Sequence, residues 1–267
     1  MEFIIVLVSA IVYRNSGTLA KFQRDDWLTP WSQTVDEFFI PQQVKLLMLV
    51  GLPIVGAMLV FWFVGGALLG LFEFVLSLLL VLYALGRFDF DEIVQRYISS
   101  MHHEDTEAAL NSLAETGYAE PADDLVALHY EFEYELVYNE FQRWFGVVFW
   151  FLVLGPIAAL FYRLIRIYSD NWEELRKIES VMEWVPVRLL GLSWALVGNF
   201  DDIPMRWEDS LEHGLDSGAS LHAFTCCELP PDLTSQMAVD RSEQLLVMFK
   251  RATILWVVAA ALIVLIF

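Results

Sequence analysis

Cysteine is nearly absent from this chain of 267 residues: there are two, side by side at Cys226 and Cys227. Adjacent thiols give neither a spaced disulfide framework nor a thiolate zinc site. Positive charge is scarce as well. Sixteen Lys and Arg stand against 35 Asp and Glu, for a formal net charge of -19. That balance argues against nucleic acid as a partner and against adhesion to anionic head groups by charge alone. No G-x-x-x-x-G-K-[ST] phosphate loop and no G-x-S-x-G nucleophile elbow occurs. The stretch GLDSGAS (214–220) has the glycines and serines of a phosphate loop but no basic residue, and reads as a loop. The sequence HHED (102–105), and His129 four residues before Glu133, come nearest to metal ligands, yet neither completes a set. No catalytic residue, metal site or cofactor is predicted.

What the chain has in abundance is apolar sequence. It is 57% hydrophobic and 15% aromatic, with 10 Trp and 20 Phe, and its mean hydropathy is +0.50. Soluble domains are roughly 45–50% apolar. The composition therefore predicts an all-α, polytopic helical membrane protein, with aromatic residues at the lipid–water boundary. Residues 2–13 are a short apolar run without a basic leader region, read as a retained helix. Residues 14–43 are polar, with Trp27, Pro30, Trp31 and Pro41 suggesting an interfacial segment. Val44 to Gly86 is 43 residues with two charges, Lys45 and Glu73. That is about twice one span, so a helical hairpin is expected around Gly65-Gly66. Trp144 to Ile165 gives another apolar block of span length, with Gly155-Pro156 at its centre as an expected kink. Charge-free sequence from Ala252 to Phe267 ends the chain.

Together these predict about four to five membrane helices plus amphipathic and interfacial helices, in a single integral membrane domain covering 1–267. Residues 87–143 form an acidic helical insert, with fourteen Asp/Glu against Arg87, Arg96 and Arg143. Its periodicity predicts two amphipathic helices separated at TGYAEPADD. Residues 199–244 form an acidic, turn-rich loop region. The stretch EWVPVRLLGLSWALVG (183–198) is too short for an independent span. Pro186 suits the first turn of a helix, packed against the 144–165 block with Arg188 turned into a polar cluster.

Polar residues inside or beside apolar sequence are the candidate site. Glu73 is the intramembrane acid, a residue type that usually faces a partner or a cavity. Asn139, Arg163, Arg166, Glu179, Glu183 and Arg188 crowd around the fourth apolar block and are the ligand-binding candidates. Arginines at a membrane boundary suit carboxylate or phosphate recognition. The bland alternative is a self-satisfied network in which Glu179 or Glu183 pairs with Arg163 or Arg188.

The segments NEFQRWFGVVFWFLVLGPIAALFYRLIR (139–166) and EWVPVRLLGLSWALVG (183–198), with the order of apolar and acidic parts, resemble the AmpE family. The resemblance implies an inner-membrane protein of Gram-negative bacteria linked to β-lactamase induction and cell-wall recycling. That family is in turn similar to the CobD/CbiB cobalamin-biosynthesis membrane enzymes, which join an amine to a carboxylate using ATP. Asn139, Tyr162, Arg163, Glu179, Pro186, Arg188 and Leu189 match their pattern. Tyr138 stands where it has Glu, Gln142 where it has Asp, Arg166 where it has Asn, and Ser180 and Glu183 replace a further Asp and Asn. The packing residues persist and the metal-holding residues thin out, so the resemblance implies a multi-pass regulatory protein of the inner (cytoplasmic) membrane without the ligase chemistry. Expected partners are the lipid bilayer, an anionic small molecule or lipid head group, and a protein bound through the 87–143 insert. Two other readings remain open at this level: a ligase or transferase of the CobD/CbiB type, and an accessory structural subunit of a membrane complex.

Overall fold

The computed structural model describes residues 1–14, 25–64, 70–85, 89–116, 124–197, 203–225 and 229–266, apart from the side chains of residues 26, 64, 89, 203–206 and 264. Among the described residues every regular element is a helix. Three helices are long and apolar enough to cross a membrane: Gln42–Phe63, Glu173–Val197 and Ser235–Ile263. The protein is an all-α helical membrane protein.

The first apolar run is α1 (Glu2–Arg14). A 3-10 turn (Asp25–Trp27) leads into the interfacial helix α2 (Leu28–Glu37). The hairpin expected from 44–86 is present. Its first arm joins α3 (Gln42–Leu46), a π turn (Leu47–Gly51) and α4 (Leu52–Val64). Its second arm is α5 (Leu71–Ala84). Only 11% of the span window in the first arm is buried. Trp62 and Phe63 are exposed at its end, as lipid-facing side chains are. Met1 lies against Gly70, so the start of α1 and the start of α5 share one end of the molecule.

The acidic insert holds three helices rather than two: α6 (Asp89–His102), α7 (Thr106–Ala114) and α8 (Leu125–Glu140). Periodicity alone runs straight through 102–105. The break arises because Asp105 caps α7, accepting from the Ala108 N–H at 3.0 Å, and Glu104 takes a positive φ of 57°. Asp124 caps α8 in the same way at 2.7 Å.

The block at 144–165 departs from expectation. It is not one kinked span. Helix α8 continues through a π turn (Phe141–Phe145) into α9 (Gly146–Leu154), and the chain then reverses at Gly155. Gly155 has φ 84° and ψ -172°, a conformation that only glycine adopts without strain. Pro156 opens the returning helix α10 (Pro156–Ser169), where its missing N–H costs nothing. The two arms touch side by side, with Gly146 against the ring of Tyr162. Nine residues of α9 rise only about 14 Å, roughly half the hydrocarbon core. The block is a re-entrant hairpin, with Val153 and Leu154 exposed at its tip.

Helix α11 (Glu173–Val197) also differs from expectation. It is one helix of 25 residues that runs through Pro186, so the proline is interior and not in a first turn. More than half of its span window, 56%, is buried. Glu183 meets Gln142, while Ser193 and Trp194 meet Trp256 and Phe249, two rings that both touch Phe145. Helix α11 thus meets the π turn directly at Gln142 and, ten residues on, packs on rings of the C-terminal helix that also touch Phe145. Its outer stripe is apolar: Ile178, Val181, Val185, Leu189, Leu192 and Leu196. The region 199–244 carries two short helices, α12 (Ile203–Glu212) and α13 (Ser217–Thr225), before α14 (Ser235–Ile266). Cys226 and Cys227 lie outside the described residues.

Candidate functional site

Two helices bring the buried acids together. Glu179 and Glu183 sit one turn apart on α11, and both are buried. Across from them the π turn presents Gln142, whose amide nitrogen donates to Glu179 Oε1 and to Glu183 Oε1, each at 3.0 Å. Tyr162 of α10 donates to Glu183 Oε1 at 2.7 Å, and Tyr138 of α8 donates to Glu183 Oε2 at 3.1 Å. Buried carboxylates without such donors would be strongly destabilising. Four elements therefore meet on one pair of acids.

The arginines expected to complete this cluster are engaged elsewhere. Arg163 pairs with Asp25 at 2.7 Å. Asp25 also accepts from Tyr83 Oη at 3.0 Å, which ties α10 to the hairpin. Arg188 does not turn into the acid cluster. Its guanidinium lies 4.6 Å from the Trp184 ring centroid and donates to the carbonyl of Gly214 at 3.0 Å, beyond the end of α12. It serves carbonyls left over at a helix C-terminus. Neither the Glu–Arg pairs of the bland alternative nor a joint Arg163–Arg188 site forms.

Asn139 turns back along its own helix, donating to the carbonyl and side chain of Glu135, both at 2.9 Å. Burial lifts the Glu135 carboxyl above the usual carboxylate range, and the Asn139 bond partly offsets this. Arg166 lies beside Asn139 and Arg143 in a small cavity of about 70 Å³, closed by Glu115 and Thr116 from the end of the insert. Its Nη1 is buried there without a hydrogen-bond partner among the described residues. Glu73 falls in the first turn of α5 and is exposed. It sits near the end of a membrane helix rather than at mid-depth.

Sequence reasoning did not foresee two further networks. Arg143 is buried and holds Asp91 at 2.8 Å and Glu140 at 3.0 Å, while Tyr13 donates to Glu140. His129 and Glu133 do share a face, but as part of a chain of bonds, not a metal site. Tyr97 Oη lies 3.0 Å from His129 Nδ1, His129 Nε2 lies 3.1 Å from Glu133, and Arg241 of α14 reaches Glu133 at 2.8 Å. The i,i+4 spacing of His129 and Glu133 was the only sequence signal for it. Among the described residues no group of three or more His, Cys, Asp or Glu could hold a metal ion.

Re-entrant and crossing helices closed over a hydrogen-bonded polar core define a helical membrane protein whose buried acids are held by hydroxyl and amide donors. Comparison with protein families is specific about which one. The family model for the regulatory signalling modulator protein AmpE matches residues 1–266, and the chain belongs to the AmpE family. No curated protein and no solved structure matched the chain.

Proposed function

We propose that the protein is a multi-pass regulatory protein of the bacterial inner membrane, acting in β-lactamase induction and cell-wall recycling, and that it has lost the ligase chemistry of its CobD/CbiB-like relatives. The observation that carries the second half is the exchange of acids for donors. At the two positions where the ligase pattern has Glu and Asp, this chain has Tyr138 and Gln142, and both donate to the buried acids of α11. A nucleotide-bound Mg²⁺ needs carboxylate oxygens facing it. Here an amide nitrogen donates to both carboxylates at 3.0 Å, a hydrogen-bond donor where the ligase pattern has an acid. The residues present do not fit that cofactor.

The regulatory half rests on the family. The acidic insert supports a protein partner, because α7 and the turn before it hold Glu104, Asp105 and Glu107 exposed and away from lipid-facing sequence. The test has two readouts. Deleting the gene should change β-lactamase induction by a β-lactam inducer; unchanged induction across inducers would overturn the regulatory reading. The purified protein titrated with Mg-ATP should show no saturable binding. Binding that is lost in Glu179→Gln would instead restore the ligase.

A further inference from the structure

Beyond the acid cluster, a second polar cavity of about 400 Å³ opens between α1, α6, α8 and α14. Its position follows from the sequence. Arg14 is the last residue of α1, and Lys250 stands just before the charge-free stretch 252–266 of α14. Glu140 ends α8 where the re-entrant segment begins. The cavity therefore lies where apolar helices leave the hydrocarbon.

Its charges are unequal in a way that composition hides. The acids on its wall, Asp91 and Glu140, are both bound by the buried Arg143, and Glu140 also accepts from Tyr13. One guanidinium offsets one of these two carboxylate charges. Arg14 and Lys250 also line the cavity, are exposed, and make no ion pair or hydrogen bond among the described residues, although Lys250 is near enough to Glu140 to act on it electrostatically. With the buried Arg143 behind the wall counted in, two acids and three cations leave a net charge of +1 at the cavity in a chain of net charge -19. The rest of the wall is apolar, from Val94, Leu246 and Phe249.

We propose that this cavity is a phosphate-binding site, with Arg14 and Lys250 supplying the charge and Val94, Leu246 and Phe249 a wall for the group that the phosphate carries. An exposed cation at a membrane boundary contributes about fivefold to the affinity for an anion. The net acidity of the chain repels anions in general, so binding here depends on the local pair. The phosphate is either that of a phospholipid head group or that of a soluble ester, and the two are separable.

The test uses the full-length protein in mild detergent, read by native mass spectrometry. One arm offers phosphatidylglycerol or phosphatidylcholine, and the other offers inorganic phosphate or glycerol 3-phosphate. The wild type should retain one phosphate-bearing probe. Arg14→Gln/Lys250→Gln should weaken it by about 25-fold, and the charge-preserving Arg14→Lys/Lys250→Arg should keep it. Retention of phosphatidylglycerol alone assigns the site to a head group; retention of glycerol 3-phosphate assigns it to a soluble ester. Both substituted side chains are exposed, so helical content and melting should match the wild type. Equal retention by wild type and the glutamine variant, or no retention of any probe by the wild type, would overturn the proposal.

Discussion

At the scale of single residues, Gln142 matters most, because one amide group serves two buried carboxylates. Replacing it with leucine leaves Glu179 with Ser169 and the nearby Arg166, and Glu183 with the hydroxyls of Tyr138, Tyr162 and Ser217. A buried acceptor stripped of its donor costs about 1–3 kcal/mol, so Gln142→Leu should lose about 2–4 kcal/mol in thermal unfolding in detergent. An unchanged melting point would show that the glutamates are held some other way. The sequence makes the polarity of this cluster legible and its pairing illegible. Glu179 and Glu183 stand out as acids in apolar surroundings, so their importance could be read directly. Their partners could not. Tyr138 and Gln142 looked like departures from an enzyme's pattern, and only the packing of α11 against the π turn turns them into donors. Arg163 shows the same limit more sharply: its partner Asp25 is 138 positions away, and no local spacing points to it.

At the scale of elements, the re-entrant hairpin depends on one close approach. A Cβ on Gly146 would come within 2.6 Å of Tyr162 Oη, the same hydroxyl that donates to Glu183. Gly146→Ala should therefore both pry the arms apart and disturb the acid cluster, at about 2–4 kcal/mol. In a double-mutant cycle with Tyr162→Leu the two losses should be less than additive, since both act on one contact; strict additivity would refute the coupling. The 44–86 hairpin was readable because its 43 residues, all but two uncharged, exceed what one span can use. The 144–165 hairpin was not. Its 22 residues fit one span, and hydropathy sums cannot register the positive φ at Gly155 that folds the block back. Pro186 misled in the opposite direction. It suggested a helix start, whereas neighbours pack around it and the helix continues.

At the scale of the whole molecule, the charges are one-sided. No Lys or Arg occurs in residues 1–13, 46–86 or 252–267, the stretches whose far ends carry Met1, the hairpin turn and the C-terminus. All sixteen fall in the remaining stretches of the sequence. The positive-inside rule favours a cytoplasmic placement for the insert, an orientation that the span count alone does not give. A topology reporter fused after Phe267 should accordingly read out on the periplasmic side, and one inserted at 104–105 on the cytoplasmic side; the reverse pattern would invert the assignment. The reversal at Gly155 then carries a consequence for how the chain is made. A segment that turns back halfway cannot serve as a stop-transfer signal, and its tip has no far-side loop to anchor it. It enters from the side on which it was synthesised, after the 44–86 hairpin is already in the bilayer to receive it. The step is the seating of a wedge rather than one more thread drawn through, with α11 and α14 still to follow it.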